Sequence, residues 1–423
     1  MEDRLARYSD MLKQHIYATC AGMTRGPAGK LRYQYIAPAS EDSPYYSDNL
    51  WDWDSWLSGI AFAQLEADSG GKGRYTEYER GSVLNFMELC DDDGYIPICV
   101  TPERELRVPG LGDLRSTNMH KPVLAQQIAS ILQRDSADTD WIRPFLPKLE
   151  AFIGRYLSEF REPETGLMRW KDDFAVGVDN DPAVFYRPAN SCGSIYLNSL
   201  MYRELLAMGC VWEMLGDIKK ANLWRSKAAD LRDAVQKYCW DERDGTFYSV
   251  DFGLLPVDGG SWLHSGAPRD YPCLIMRIDC WTSFMPMWAG ICTTEQAERM
   301  AARLRDEATY SCRGGVRTLS RLEKIYDLRA SNNPSNWRGP VWGISNYMVF
   351  SGLLKYGLYD DAEDMAKKTV MLFGRDLEMN GSLHEYYDPD TCEPIVTHGF
   401  ENWNYLALNM IAWLEDRRFV DTF

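Results

Sequence analysis

Apolar residues recur along this chain in two alternating styles. Six stretches, 2–22, 76–90, 140–161, 217–238, 293–308 and 358–374, carry them on one helical face only. In 140–161 that face is Phe145, Leu149, Phe152, Tyr156 and Phe160; in 217–238 it is Trp224, Ala228, Leu231, Val235 and Tyr238. Stretch 76–90 opens with the spacing of a capping box, Thr76 followed by Glu79. Six other stretches, 51–66, 118–133, 190–215, 279–291, 336–356 and 401–414, are apolar around most of their circumference and read as buried helices. The two kinds alternate strictly. That order predicts an all-α fold of six outer–inner hairpins closed into an (α/α)6 barrel, occupying residues 1–423 as a single domain. The connections 91–117, 162–189, 241–278 and 309–335 are too long for turns, and Thr246–Val250 reads as part of a hairpin within one of them.

Alternation also makes the inner helices parallel, so their N-terminal ends share one face. Charged and aromatic residues gather at those ends. Asp52 and Asp54 open the first inner stretch, Asn118 and Lys121 the second, and Asp179 precedes the third. Asp279 and Trp281 open the fourth, Trp337 and Arg338 the fifth, and Glu385 precedes the sixth. Arg338 at a helix start opposes the macrodipole and calls for a carboxylate partner or a ligand.

Composition narrows the chemistry. Hydrophobic residues make up 45% of the 423 positions, with 15 Trp and 24 Tyr, enough for a large core and for aromatic surfaces on which sugar rings stack. A net charge of −16 without any Lys/Arg run excludes nucleic acid and anionic membrane surfaces as partners. No apolar run is long enough to span a bilayer, and the charged N-terminus leads into no signal-like segment. The 11 Cys are scattered with no C-x-x-C, which points to reduced thiols and a cytoplasmic location. The five His (His15, His120, His264, His384, His398) form no metal-ligand spacing, and no nucleotide-binding or serine-hydrolase motif is present. Neither a metal nor another cofactor is expected.

The chemistry is expected on two loops. Val176–Pro182 carries Asp179 and Asp181, and Ser382–Pro389 carries Glu385 among His384, Tyr386 and Tyr387. Two carboxyl groups brought to one rim can break a glycosidic bond, one as acid and one as base. A turn-capping Asp and a surface-paired Glu are the alternative; Asp181 is the substitute candidate for the acid.

Four segments resemble glycoside hydrolase family 63, which holds processing α-glucosidases and bacterial mannosylglycerate and glucosylglycerate hydrolases; the trehalases are more distantly similar. They are Leu50–Trp56, Gly177–Pro182, Asn336–Trp342 and His384–Asp388, in the family's order. The resemblance implies an (α/α)6 barrel that hydrolyses a small α-glucoside or α-mannoside with inversion. It matches Asp179 to the general acid and Glu385 to the general base. Trp53 and Asp54 match residues that hold the glycon, and Arg338 lies in a matching rim segment. Trp51, Lys121, Gln126, Trp337, Tyr386 and Trp403 complete the expected substrate-binding set. A trehalase, and a catalytically silent carbohydrate-binding protein on the same barrel, are the rival readings.

Overall fold

Twelve α-helices form in the computed structural model, which describes residues 2–40, 43, 46–70, 74–103, 119–174, 176–254, 269–329 and 335–423. The outer helices are α1 (Glu2–Thr19), α3 (Thr76–Leu89), α5 (Leu146–Arg155), α7 (Ile218–Cys239), α9 (Thr294–Leu304) and α11 (Tyr359–Asn380). The inner ones are α2 (Asp52–Ser69), α4 (Leu124–Arg134), α6 (Ile195–Met214), α8 (Met285–Ala289), α10 (Gly343–Lys355) and α12 (Ala407–Asp416). Burial follows the sequence pattern. Every residue of α2 from Asp52 to Leu65 is buried, whereas α7 buries only Ala221, Trp224, Ala228, Leu231, Ala234, Val235 and Cys239.

The inner helices touch in the order α4, α6, α8, α10, α12, α2. Between α2 and α4 the ring is joined through α3, which touches both, and through Lys121, whose ammonium lies 3.2 Å from Asp52. The fold is an (α/α)6 barrel. Its axis is filled: Trp56 of α2 and Trp288 of α8, three positions apart around the ring, meet edge to face with centroids 6.1 Å apart. The end away from the candidate loops is closed by the segment Phe419–Phe423. There Asp421 accepts from Tyr347 and Ser351, and Thr422 accepts from the Trp288 indole. Buried apolar residues from Tyr8 to Trp413 form one continuous core.

The inner helices start later than the periodicity predicts. Residues 336–342, expected as the first turns of α10, are irregular up to a short strand, Val341–Trp342, which pairs antiparallel with Tyr386–Tyr387. Cys192–Gly193, ahead of α6, pairs likewise with Val250–Asp251. Lys121 stands before Pro122 and Gly339 before Pro340, and a residue before proline avoids helical backbone. In α8, Pro286 has no N–H to give and sits in the first turn, preceded by a 3₁₀ turn, Trp281–Phe284. Thr246–Phe247 does form a hairpin, with Trp240–Asp241. The capping box expected at Thr76 is not made. Thr76 is inside the helix; Glu66 accepts from its N–H and hydroxyl, and Glu79 binds Arg134 instead. Asn118 lies outside the described residues.

Candidate active site

The segments that lead into α2, α4, α6, α10 and α12 surround a cavity of about 490 Å³. Asp179 and Glu385 both line it, together with Trp51, Trp53, Asp54, Lys121, Trp337 and Trp403. Its wall is a run of stacked rings. Trp337 lies face to face on Trp342 with centroids 3.8 Å apart, Trp342 on Tyr386 at 4.8 Å, and Trp281 flanks Trp337 at 5.8 Å. Trp53 meets Trp403 edge to face at 5.1 Å. Held this way, Trp53, Trp337, Trp342 and Trp403 present fixed apolar faces to whatever enters, backed by Tyr386 and Trp281, which do not line the cavity.

Glu385 is anchored by a hairpin. Its N–H donates to Val396, and Tyr386–Tyr387 pairs with both Val341–Trp342 and Pro394–Val396. Beside it, the His384 ring binds Asp376 at 2.9 Å. Burial raises the carboxyl of Glu385 to about 7; a hydrogen bond from the Thr397 hydroxyl, at 2.5 Å, opposes the rise and the charge of Asp179 adds to it. The Glu385 carboxyl therefore responds to the charge on Asp179.

Asp179 rides on a loop tied to the aromatic wall. The neighbouring Asn180 accepts from the Trp337 N–H at 2.7 Å and donates to Asn336 at 3.0 Å. Gly177 has φ +77, and a Cβ there would fall 2.7 Å from Lys121 Cε and 2.9 Å from the Trp53 ring. Only glycine lets the loop lie this close. Asp181, two residues from Asp179, does another job: it is buried and accepts from the Ala183 N–H, which caps the turn.

At the start of α2, Asp54 is raised to about 7 by burial and by the nearby Asp52, against Lys121 and a hydrogen bond from Asn402. Lys121 is neutralised by Asp52 and lies 4.6 Å from the Trp53 ring centre. Three expected substrate contacts stand outside the lining. Gln126 is buried behind it and donates to Pro122 and Leu200, and Tyr386 is covered by Trp342. Arg338 precedes α10 by a short strand instead of opening it, and its guanidinium faces Asp327 at 3.6 Å. Asp279, expected on the same rim, binds Tyr248 and Arg303.

Sequence reasoning missed Tyr46, Asp173, Phe174, Asn180, Phe185, Tyr186 and Thr397. Of these, Asp173, Phe174, Asn180, Phe185 and Tyr186 lie in the long connection 162–189, and only Asn180 in the stretch Val176–Pro182. The phenol of Tyr46 lines the cavity; burial, then the carboxylates of Glu385, Asp54 and Asp179, hold its ionisation far above the usual range. Among the described residues no cluster of three or more His, Cys, Asp or Glu is placed to hold a metal ion.

A model of the mannosylglycerate hydrolase MGH1-like glycoside hydrolase domain matches residues 47–403. The chain belongs to this family of glycosidases. Mannosylglycerate hydrolase MGH1 of Selaginella moellendorffii is 24% identical over 90% of this chain and 82% of its own length. The family 63 mannosylglycerate hydrolase of Thermus thermophilus, solved with Tris and D-glycerate, superposes on this MGH1-like barrel with a TM-score of 0.67. It covers 94% of this chain and 99% of its own at 20% identity. Neutral trehalase Nth1 of Saccharomyces cerevisiae follows at 0.63, with 90% and 73% covered and 18% identity. The kinship read from the four motif segments thus holds, trehalase likeness included.

Proposed function

We propose that this MGH1-like glycosidase hydrolyses a small α-glucoside or α-mannoside with inversion, the whole chain acting as one catalytic unit. The observation that carries the reading is that Asp179 and Glu385, from loops two hundred residues apart, line one cavity and are electrostatically coupled. Asp179 gives its proton to the glycosidic oxygen as the C1–O bond breaks. Glu385 takes a proton from a water whose oxygen bonds to C1 from the opposite face. The pair needs one proton in the reactive form, on Asp179. The charge of Asp179 is one of the causes that raise Glu385, after burial, so a proton on Asp179 eases ionisation of Glu385. Trp53, Asp54 and Lys121 hold the glycon, and Trp51, Trp337 and Trp403 shape its pocket. Eleven free thiols support a reducing, cytoplasmic setting.

The glycon and aglycon follow from a screen of trehalose, kojibiose, nigerose, glucosylglycerate and mannosylglycerate with purified protein. Asp179→Asn and Glu385→Gln are each expected to lower turnover by ~10²–10⁴-fold with the fold intact. Proton NMR in the first minutes of hydrolysis is expected to show the β-anomer. Initial release of the α-anomer overturns inversion, and near-normal turnover by either variant overturns its assigned role. A cleft that binds sugar without releasing any would favour the silent-binder alternative.

A further inference from the structure

The cavity has two kinds of surface. Its depth is indole and carboxyl; its outer lip is Asp173, Phe174, Phe185 and Tyr186, from the same loop that carries Asp179. Tyr186 is 92% exposed and has φ +60, a conformation that a bulky residue adopts only where its surroundings impose it. Those surroundings are visible. The Phe185 N–H donates to Asp181 at 2.8 Å, the Arg187 N–H to Val184 at 3.1 Å, and the Arg187 guanidinium binds Asp251 at 2.7 Å. The Phe185 and Tyr186 rings lie 4.0 Å apart, so the loop raises a paired aromatic surface into solvent beside the acid.

Charge selects what that surface receives. Among the described residues lining the cavity, Asp54, Asp173, Asp179 and Glu385 are acidic and Lys121 is the single cation, 1% exposed and held by Asp52. An anionic aglycon passing Asp173 on the way to the ionised Glu385 meets like charge. A neutral sugar ring instead lays its C–H face on aromatic carbon and offers hydroxyl donors to Asp173.

We propose that Asp173, Phe174, Phe185 and Tyr186 form an aglycon subsite for a second, uncharged sugar ring, making the substrate an α-linked disaccharide. This rests on the glycosidase reading above, and the test separates the two. The α-glycosyl fluorides of glucose and mannose carry no aglycon ring, so they report the glycon site and the paired carboxyls alone. With the full-length protein, Tyr186→Ala is expected to lower the ratio of disaccharide to fluoride kcat/KM about tenfold, mainly through KM, and Tyr186→Phe to retain it. A ratio unchanged by Tyr186→Ala overturns the subsite. So does faster hydrolysis of glucosylglycerate or mannosylglycerate than of any disaccharide in the screen. Failure of the wild-type protein to hydrolyse either fluoride overturns the glycosidase reading itself, and the subsite with it.

Discussion

Thr397 holds the carboxylate of Glu385 from φ +52, where a β-branched side chain is strained. The hydroxyl stabilises the charged form and so works against the burial that raises this carboxyl. Removing it with Thr397→Val is expected to raise the Glu385 pKa and move the acidic limb of the kcat/KM profile to higher pH; Thr397→Ser should restore the limb. A profile that drops in height without moving would mean that Thr397 only supports the loop. Nothing in the sequence marked this residue, because its role depends on a partner twelve positions away across a hairpin. Asp179 and Asp181 were equally ambiguous there: both are carboxylates beside Gly and Pro. The fold separates them by aiming one into the cavity and the other at the Ala183 N–H.

Between elements, a single carboxyl group joins two inner helices. Glu204 of α6 is buried and accepts from the Ala125 and Gln126 N–H groups at 2.7 and 3.2 Å, the start of α4, where Val123 supplies no side-chain cap. Burial drives it up to about 8 despite those donors. Glu204→Leu leaves two N–H donors without acceptors, at roughly 1–3 kcal/mol each, whereas Glu204→Gln keeps an acceptor oxygen and should lose less. Urea denaturation at a common m-value measures both, and a Leu variant as stable as the parent would refute the cap. The existence and alternation of the helices were legible because burial imposes a periodicity. Their starts were not, since prolines and short strand pairings such as Val341–Trp342 with Tyr386–Tyr387 claim residues whose side chains are as apolar as a helix's. That displacement moved Arg338 off the helix terminus where the sequence had it.

For the molecule as a whole, the same desolvation that tunes the site sets how stability responds to pH. Asp181 is raised to about 6, Asp54 and Glu385 to about 7, and Glu204 to about 8, all chiefly by burial. An unfolded chain releases these protons near pH 4. Between about pH 5 and 7.5 the folded state therefore holds more protons than the unfolded one, and stability falls as pH rises. His120 runs the other way: burial lowers it to about 4, so its contribution is present above its unfolded value near 6.5 and fades as pH drops toward 4. Together these are expected to place the stability maximum on the acidic side of neutrality, whereas the proposed mechanism needs Glu385 ionised and predicts activity that climbs through pH 7. Thermal melts of the ligand-free protein from pH 5 to 7.5 are expected to show Tm declining over the upper part of that range. The decline should flatten in the Asp54→Asn/Glu385→Gln double variant, which removes two of the four titrating carboxyls. A Tm that rises between pH 6 and 7.5 would show that these groups are hydrated in solution, and with that the case for a dry, coupled pair at the base of the cavity would fall.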